Sequence, residues 1–232
     1  MVSKEIYKVD RVAPVDFVFF DDKYIYSTSL TSIKNRGVVR GNNLIDLAFQ
    51  WQKKLHSDSM LLPDKSLVPI GLISFAAANA SDSNKPFFVM PLPSFWLQAG
   101  ISSKHLGLDN LLTGIFTHEF SHSQQMCNFG KKITYFEQEN DFGVQFTDDI
   151  IQDVFGKDSM YSRLYDTETD FLYNSIANNK LNRQQLDKGL SIMQKRQKTH
   201  FNDKYENLDA LDNFFLTMEG LGQYSMFLWL TR

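Results

Sequence analysis

The chain has 232 residues, 43% of them hydrophobic and 22% charged, enough apolar content for a real core. A formal net charge of -3 at pH 7 gives no electrostatic case for nucleic acid or an anionic membrane, and the longest apolar runs fall short of the roughly 20 residues a bilayer span needs. No signal-peptide pattern opens the sequence and Cys127 is the single cysteine, so the chain reads as soluble without an internal disulfide, either cytoplasmic or a secreted or periplasmic protein lacking its leader.

Residues 15–20 and 24–28 are β-branched and aromatic runs separated by Asp21, Asp22 and Lys23, which predicts a hairpin. Residues 35–41 form a polar turn region. Leu44, Leu47, Ala48, Trp51 and Leu55 then recur at helical spacing behind Asn42 and Asn43, either of which can cap, and this helix is expected to back the hairpin.

Apolar runs at 68–78 and 86–92, joined by a turn-forming stretch at 79–85, predict a second hairpin. Pro91 and Pro93 cannot donate to a ladder, which puts 87–92 at a sheet edge. Such an edge is either simply protected by its prolines or pairs with an extended peptide. Asn79, Ala80 and Ser81 spell a glycosylation sequon by letter only.

The stretch 108–125 carries the densest chemistry. His118, Glu119, Phe120, Ser121 and His122 read H-E-x-x-H. On a helix, residues four apart lie one turn above each other, so His118 and His122 can offer two imidazole nitrogens to one metal ion. Glu119 beside them suits a general base, since a carboxylate next to a metal can take the proton from a water as it attacks a carbonyl. At about 100° per residue, Leu108, Leu111, Leu112 and Ile115 share a half of the wheel with His118, Glu119 and His122, and Thr113, Gly114, Thr117, Ser121, Gln124 and Gln125 fall opposite. The metal most often held this way is zinc, with three protein ligands and one open position, so a third ligand is required.

Beyond the motif the chain becomes helical. Thr147 reads as a cap, with Asp148 and Asp149 in a first turn, an apolar face of Ile150, Ile151, Val154 and Phe155, and Gly156 as the stop. Asp166 or Thr167 can start a helix carrying Phe171, Leu172 and Ile176, with Glu168 in its first turn. Asn182 with Gln185 marks another start; Leu186, Leu190 and Met193 form the inner stripe, and Lys195, Arg196 and Lys198 a solvated end. The last segment, 208–230, is apolar at helical spacing, with Glu219 in its middle between Met218 and Gly220.

A carboxylate on an apolar helix is costly unless paired, so Glu219 asks for a cation, and Gly220 and Gly222 leave room for another helix to approach. H-E-F-S-H followed far downstream by M-E-G-L-G-Q-Y resembles the gluzincin class of zinc metallopeptidases. The resemblance implies a zincin-like fold, zinc ligands His118, His122 and Glu219, and Glu119 as catalytic base. At the place where the aminopeptidase branch of that class carries its third ligand this chain has Asp141, which stays an alternative together with Glu137, Glu139, Glu168 or no third protein ligand.

The expectation is therefore an α+β chain read as a single unit over 1–232: a sheet-rich lobe with a backing helix over 1–107, then the active-site helix and a helical lobe over 108–232. Its expected activity is zinc-dependent hydrolysis of peptide bonds in a peptide or protein substrate. The alternatives are an inactive zincin-fold binding protein and a zinc hydrolase of a non-peptide amide or ester. His200 and Tyr224 are candidate oxyanion donors that no spacing assigns.

Overall fold

The structure, a computed structural model, describes residues 12–29, 38–40 (backbone only), 50–79, 85–147, 149–177 and 180–231. The chain is α+β, with a mixed sheet in its first half and a mostly helical second half, as expected. Two compact units emerge, Met1–Lys132 with Thr217–Arg232, and Ile133–Leu216. Among the described residues no helix is long and apolar enough to cross a membrane.

In the first unit, β1 (Asp16–Phe20), β2 (Tyr24–Ser27), β3 (Val38–Arg40), β4 (Gln50–Leu55), β7 (Phe75–Asn79) and β8 (Lys85–Pro91) form one sheet in the order β3-β4-β2-β1-β8-β7. The strands β5 (Ser59–Leu61) and β6 (Leu67–Pro69) pair separately. Among the described strands only β1 and β8 run parallel. The predicted first hairpin is present, and the Asp21 carboxylate closes its turn by accepting from the backbone N–H groups of Lys23 and Tyr24.

At β1 and β8 both sheet faces are covered. Val18, Phe20, Phe87 and Val89 point to one side, where Met60 and Leu62 complete a core. Phe17, Phe19, Phe88 and Met90 point to the other, beneath two helices, α1 (Pro93–Gln98) and α2 (Gly107–Gln125). A strand buried on both faces reads as a continuous apolar run, which is why β8 shows no alternation.

That burial corrects the placing of 87–92 at an edge: β8 lies between β1 and β7, with Pro86 and Pro91 near its two ends, and among the described strands β7 stands at that end of the sheet. The long run at 68–78 is also two strands, β6 and β7, with the second hairpin formed by β7 and β8. The helix expected through Trp51 and Leu55 is strand β4 over its described part. Its backbone pairs with β2 and β3 on its two sides, and Trp51 stacks on Phe19 with ring centroids 5.4 Å apart. Pairing and aromatic burial override a period carried by five residues. The remainder of that prediction, 42–49, lies outside the described residues, as do 35–37 and 41 of the polar turn; 38–40 pairs as β3. The sheet is backed instead by α2 and the short α1. Of the sequon only Asn79 is described, a buried residue whose amide donates to Pro63 O.

The second unit is helical: most of α3 (Lys131–Glu139), then α4 (Ile150–Phe155), α5 (Ser159–Ile176), α6 (Arg183–His200) and the start of α7 (Leu208–Leu230). Phe142, Ile150, Phe155, Tyr161, Phe201, Leu208 and Leu211 make its core. The boundaries of α7 match the prediction, and Asn182 caps α6 by accepting from Gln185 N.

Four details of this unit differ from expectation. The first helical residue of α4 is Ile150, with Asp149 rather than Thr147 at the N-cap position; Asp148 lies outside the described residues. Helix α5 starts earlier than Asp166, because Asp158 accepts from the backbone of Met160 and Tyr161 and caps it there. Glu168 is thereby mid-helix and buried. Leu190 is exposed, while Gly189, Arg196 and His200 are buried. Arg196 is not part of a solvated end: its guanidinium donates to Glu168 and Asp212.

Candidate metal centre

Helix α2 runs over the predicted stretch to within one residue, and its aromatic pair seats it. Phe116 and Phe120, one turn apart, stack with Phe17 of β1, and Phe88 meets Phe116 edge-on at 5.2 Å. His118 and His122 each lie two residues further on, about 200° around the helix from those rings, so anchoring the aromatics to the sheet turns both imidazoles away from it.

They turn toward the stretch of α7 that belongs to the same unit. Gly222 lies against the His118 ring, and Gly114 of α2 lies against Met226 and Leu230 of α7. The face of α2 opposite its leucines is thus largely buried as well: Gly114, Thr117, Ser121 and Gln125 are enclosed. Thr117 and Ser121 tolerate this because their hydroxyls donate to the carbonyls of Thr113 and Thr117. Gln124 is half-buried and accepts from Ala13 N.

The site itself is compact. The Nε2 atoms of His118 and His122 are 2.9 Å apart, and each lies 3.3 Å from one oxygen of the Glu219 carboxylate. All three ligand atoms fall within 4.8 Å of one another, and the group could hold a metal ion. Ligand atoms about 2.0–2.1 Å from a tetrahedral ion stand about 3.3 Å from each other, so both histidine–carboxylate separations already suit one. Two imidazoles and a carboxylate are a donor set that zinc takes readily. The imidazoles are nearly buried and the Glu219 side chain is 57% exposed, so the group has an enclosed side and an open one.

Electrostatics follow from the crowding. Hydrogen bonding by His118 and His122 lowers the Glu219 carboxyl to about 2. Burial works against a charged His122, but the Glu219 carboxylate outweighs it and the imidazole is raised above its ordinary value. Burial raises Glu119, against the pull of His122 and His118.

Of the carboxylates weighed as third ligand, the structure brings only Glu219 to the two histidines among the described residues. Asp141 closes a turn by accepting from Gly143 N, and Glu168 is taken by Arg196. Glu137 and Glu139 are exposed on α3. His200 is buried in the helical unit, edge-on to Phe155 and Tyr161, and Tyr224 is half exposed on α7. One residue of the site was missed from the sequence. Gln125, 6% exposed, has its amide oxygen 3.2 Å from His122 Nδ1, and its position on the helical wheel gave no sign of this. No protein-family model, curated protein or solved structure matches the chain.

Proposed function

We propose that the chain is a zinc-dependent peptidase of the gluzincin type, in which His118, His122 and Glu219 hold the ion and Glu119 is the general base. One observation carries this reading: the distant Glu219 carboxylate meets both imidazoles of H-E-x-x-H at 3.3 Å. Zinc bound there would polarise a scissile carbonyl and acidify the attacking water.

The chain's own groups account for the proton. The Glu119 carboxyl makes no side-chain hydrogen bond or ion pair among the described residues, and burial raises it above its ordinary value. A carboxylate with no hydrogen-bond donor on it and a raised proton affinity suits accepting a proton from water and returning it to the leaving amine. The sheet edge supports a peptide as the substrate. Among the described strands β7 ends the sheet beside β8 and packs against α2, and an end strand is where an extended chain adds by strand pairing.

The test is digestion of an unfolded protein by the purified chain, with zinc, with a chelator, and with zinc restored. Cleavage that the chelator stops and zinc restores is expected. A zinc-loaded chain that cleaves neither peptide, amide nor ester bonds overturns the hydrolase reading in favour of a binding protein that keeps the ion.

A further inference from the structure

We infer that Gln125 is a positioning residue, holding His122 in the one tautomer and ring angle that present its Nε2 lone pair to a metal. The inference rests on the metal-holding reading proposed above. His122 Nδ1 faces the Gln125 amide oxygen at 3.2 Å, and that oxygen can only accept. The imidazole proton therefore sits on Nδ1. In the neutral ring this leaves Nε2 bare, and Nε2 is the atom directed at Glu219 Oε1 and at His118 Nε2.

An amide turned the other way would put N–H groups against Nδ1 and drive the ring proton onto Nε2, into the space between the three ligand atoms. Only one amide orientation is compatible with ligation. Burial makes this hydrogen bond count: His122 and Gln125 are both 6% exposed, so bulk water does not compete for either partner. Partners of this kind fix the ring orientation and raise the basicity of a ligating histidine.

The two histidines are held by different means. His118 Nδ1 is buried without a hydrogen-bond partner among the described residues, and its ring is fixed by contact with the Gly222 backbone. His122 is fixed by a directed hydrogen bond. Gln125 is also the last residue of α2 before the chain widens into a π-helical turn at Met126–Gly130, so its side chain is the last on that helix able to reach the ring from three residues on.

The experiment compares the wild type with Gln125→Leu, which removes the acceptor, and Gln125→Glu, which keeps one. Zinc affinity is read by competition with a chromogenic chelator. The His122 tautomer is read by NMR of 15N-labelled imidazole in the zinc-loaded protein, and circular dichroism checks the fold. Gln125→Leu should lose about ten- to a hundred-fold in zinc affinity and lose the protected Nδ1–H signal, while Gln125→Glu keeps both. Wild-type protein that binds zinc beside an equally tight Gln125→Leu overturns the inference alone. Wild-type protein that takes up no zinc overturns the proposed function, and the inference with it. If Gln125→Leu fails to fold, Gln125→Glu decides: loss of the Nδ1–H signal in that variant also overturns the inference.

Discussion

The imidazole of His118 lies against the bare backbone of Gly222: a β-carbon there would stand 2.8 Å from Cε1 and 2.9 Å from Nδ1 of the ring. Real β-carbons do not come so close, so Gly222→Ala must displace either the histidine or the helix. Overpacking of this kind costs about 1–3 kcal/mol, and because the displaced group is a proposed ligand, zinc affinity should fall with it. Gly220 is the internal control. Nothing lies within 4 Å of a β-carbon at that position, and alanine in an open helical site should gain about 0.5–1 kcal/mol. Thermal unfolding and zinc titration of the two variants check the contrast, and equal behaviour would remove Gly222 from the account of the site.

Glu119→Gln separates holding the metal from using it. The amide keeps the size of the carboxylate but cannot take a proton, and Glu119 is not one of the three grouped ligand residues. Zinc content should stay at the wild-type level while turnover falls by about 10²–10⁴-fold, the usual share of a general base. Peptidase activity unchanged in this variant would leave Glu119 without the role proposed for it.

Glu219→Ala tests the third ligand. Removing one of three ligands should weaken zinc binding sharply, whereas Asp141→Ala should leave metal content unchanged, because the Asp141 carboxylate serves the turn at Gly143. Metal analysis after dialysis of the two variants checks this. Retention of zinc by Glu219→Ala would break the proposed ligand set.

The positions of His118, His122 and Glu219 were legible because their chemistry is local: a four-residue spacing on a helix, and a carboxylate on an otherwise apolar one. Helices α2 and α7 were legible for a related reason, since each carries enough turns for its period to dominate. What the sequence concealed depends on partners distant along the chain. Trp51 joins a strand because β2 and β3 flank it, and Arg196 is buried because Glu168 and Asp212 await it. Gln125 joins the site through a hydrogen bond that no spacing rule anticipates. The burial of the α2 face opposite its leucines was hidden in the same way, for small and hydroxylated residues mark a solvated face or a close helix contact equally well.

The charges at the site predict a pH signature for the protein stripped of metal. Glu219 is depressed from 4.5 to about 2, so its contribution to stability is present above 4.5 and is lost as pH falls toward 2. His122 is raised from 6.5, so its contribution is complete below 6.5 and is lost as pH rises through the raised value. Both act together between these two ordinary values. Zinc requires the imidazoles without that extra proton, so the melting temperature it adds should grow with pH across the neutral range. Melting curves with and without zinc from about pH 4 to 9 would show the two trends crossing. A zinc increment independent of pH would mean that the ion binds elsewhere.

In the helical unit, Arg196 predicts a large loss from a single change. The side chain is fully buried, and its guanidinium donates to Glu168 at 2.8 and 3.2 Å, to Asp212 at 2.9 Å and to the Tyr161 hydroxyl at 3.0 Å. Its ring neighbours Tyr161, Tyr165 and Phe201 add cation–π contact. Arg196→Met keeps much of the volume but leaves two enclosed carboxylates with no cation, which should cost about 3–5 kcal/mol. Replacing Glu168 and Asp212 by leucine in the same chain removes the stranded charges and should recover much of that loss, since a buried ion cluster and a well-packed apolar one can be close in stability. Urea unfolding of the single and triple variants distinguishes the two effects. A single variant that loses less than about 1 kcal/mol would show that the carboxylates reach water or bind protons without Arg196, and that the cluster does not organise the packing of α5 on α6.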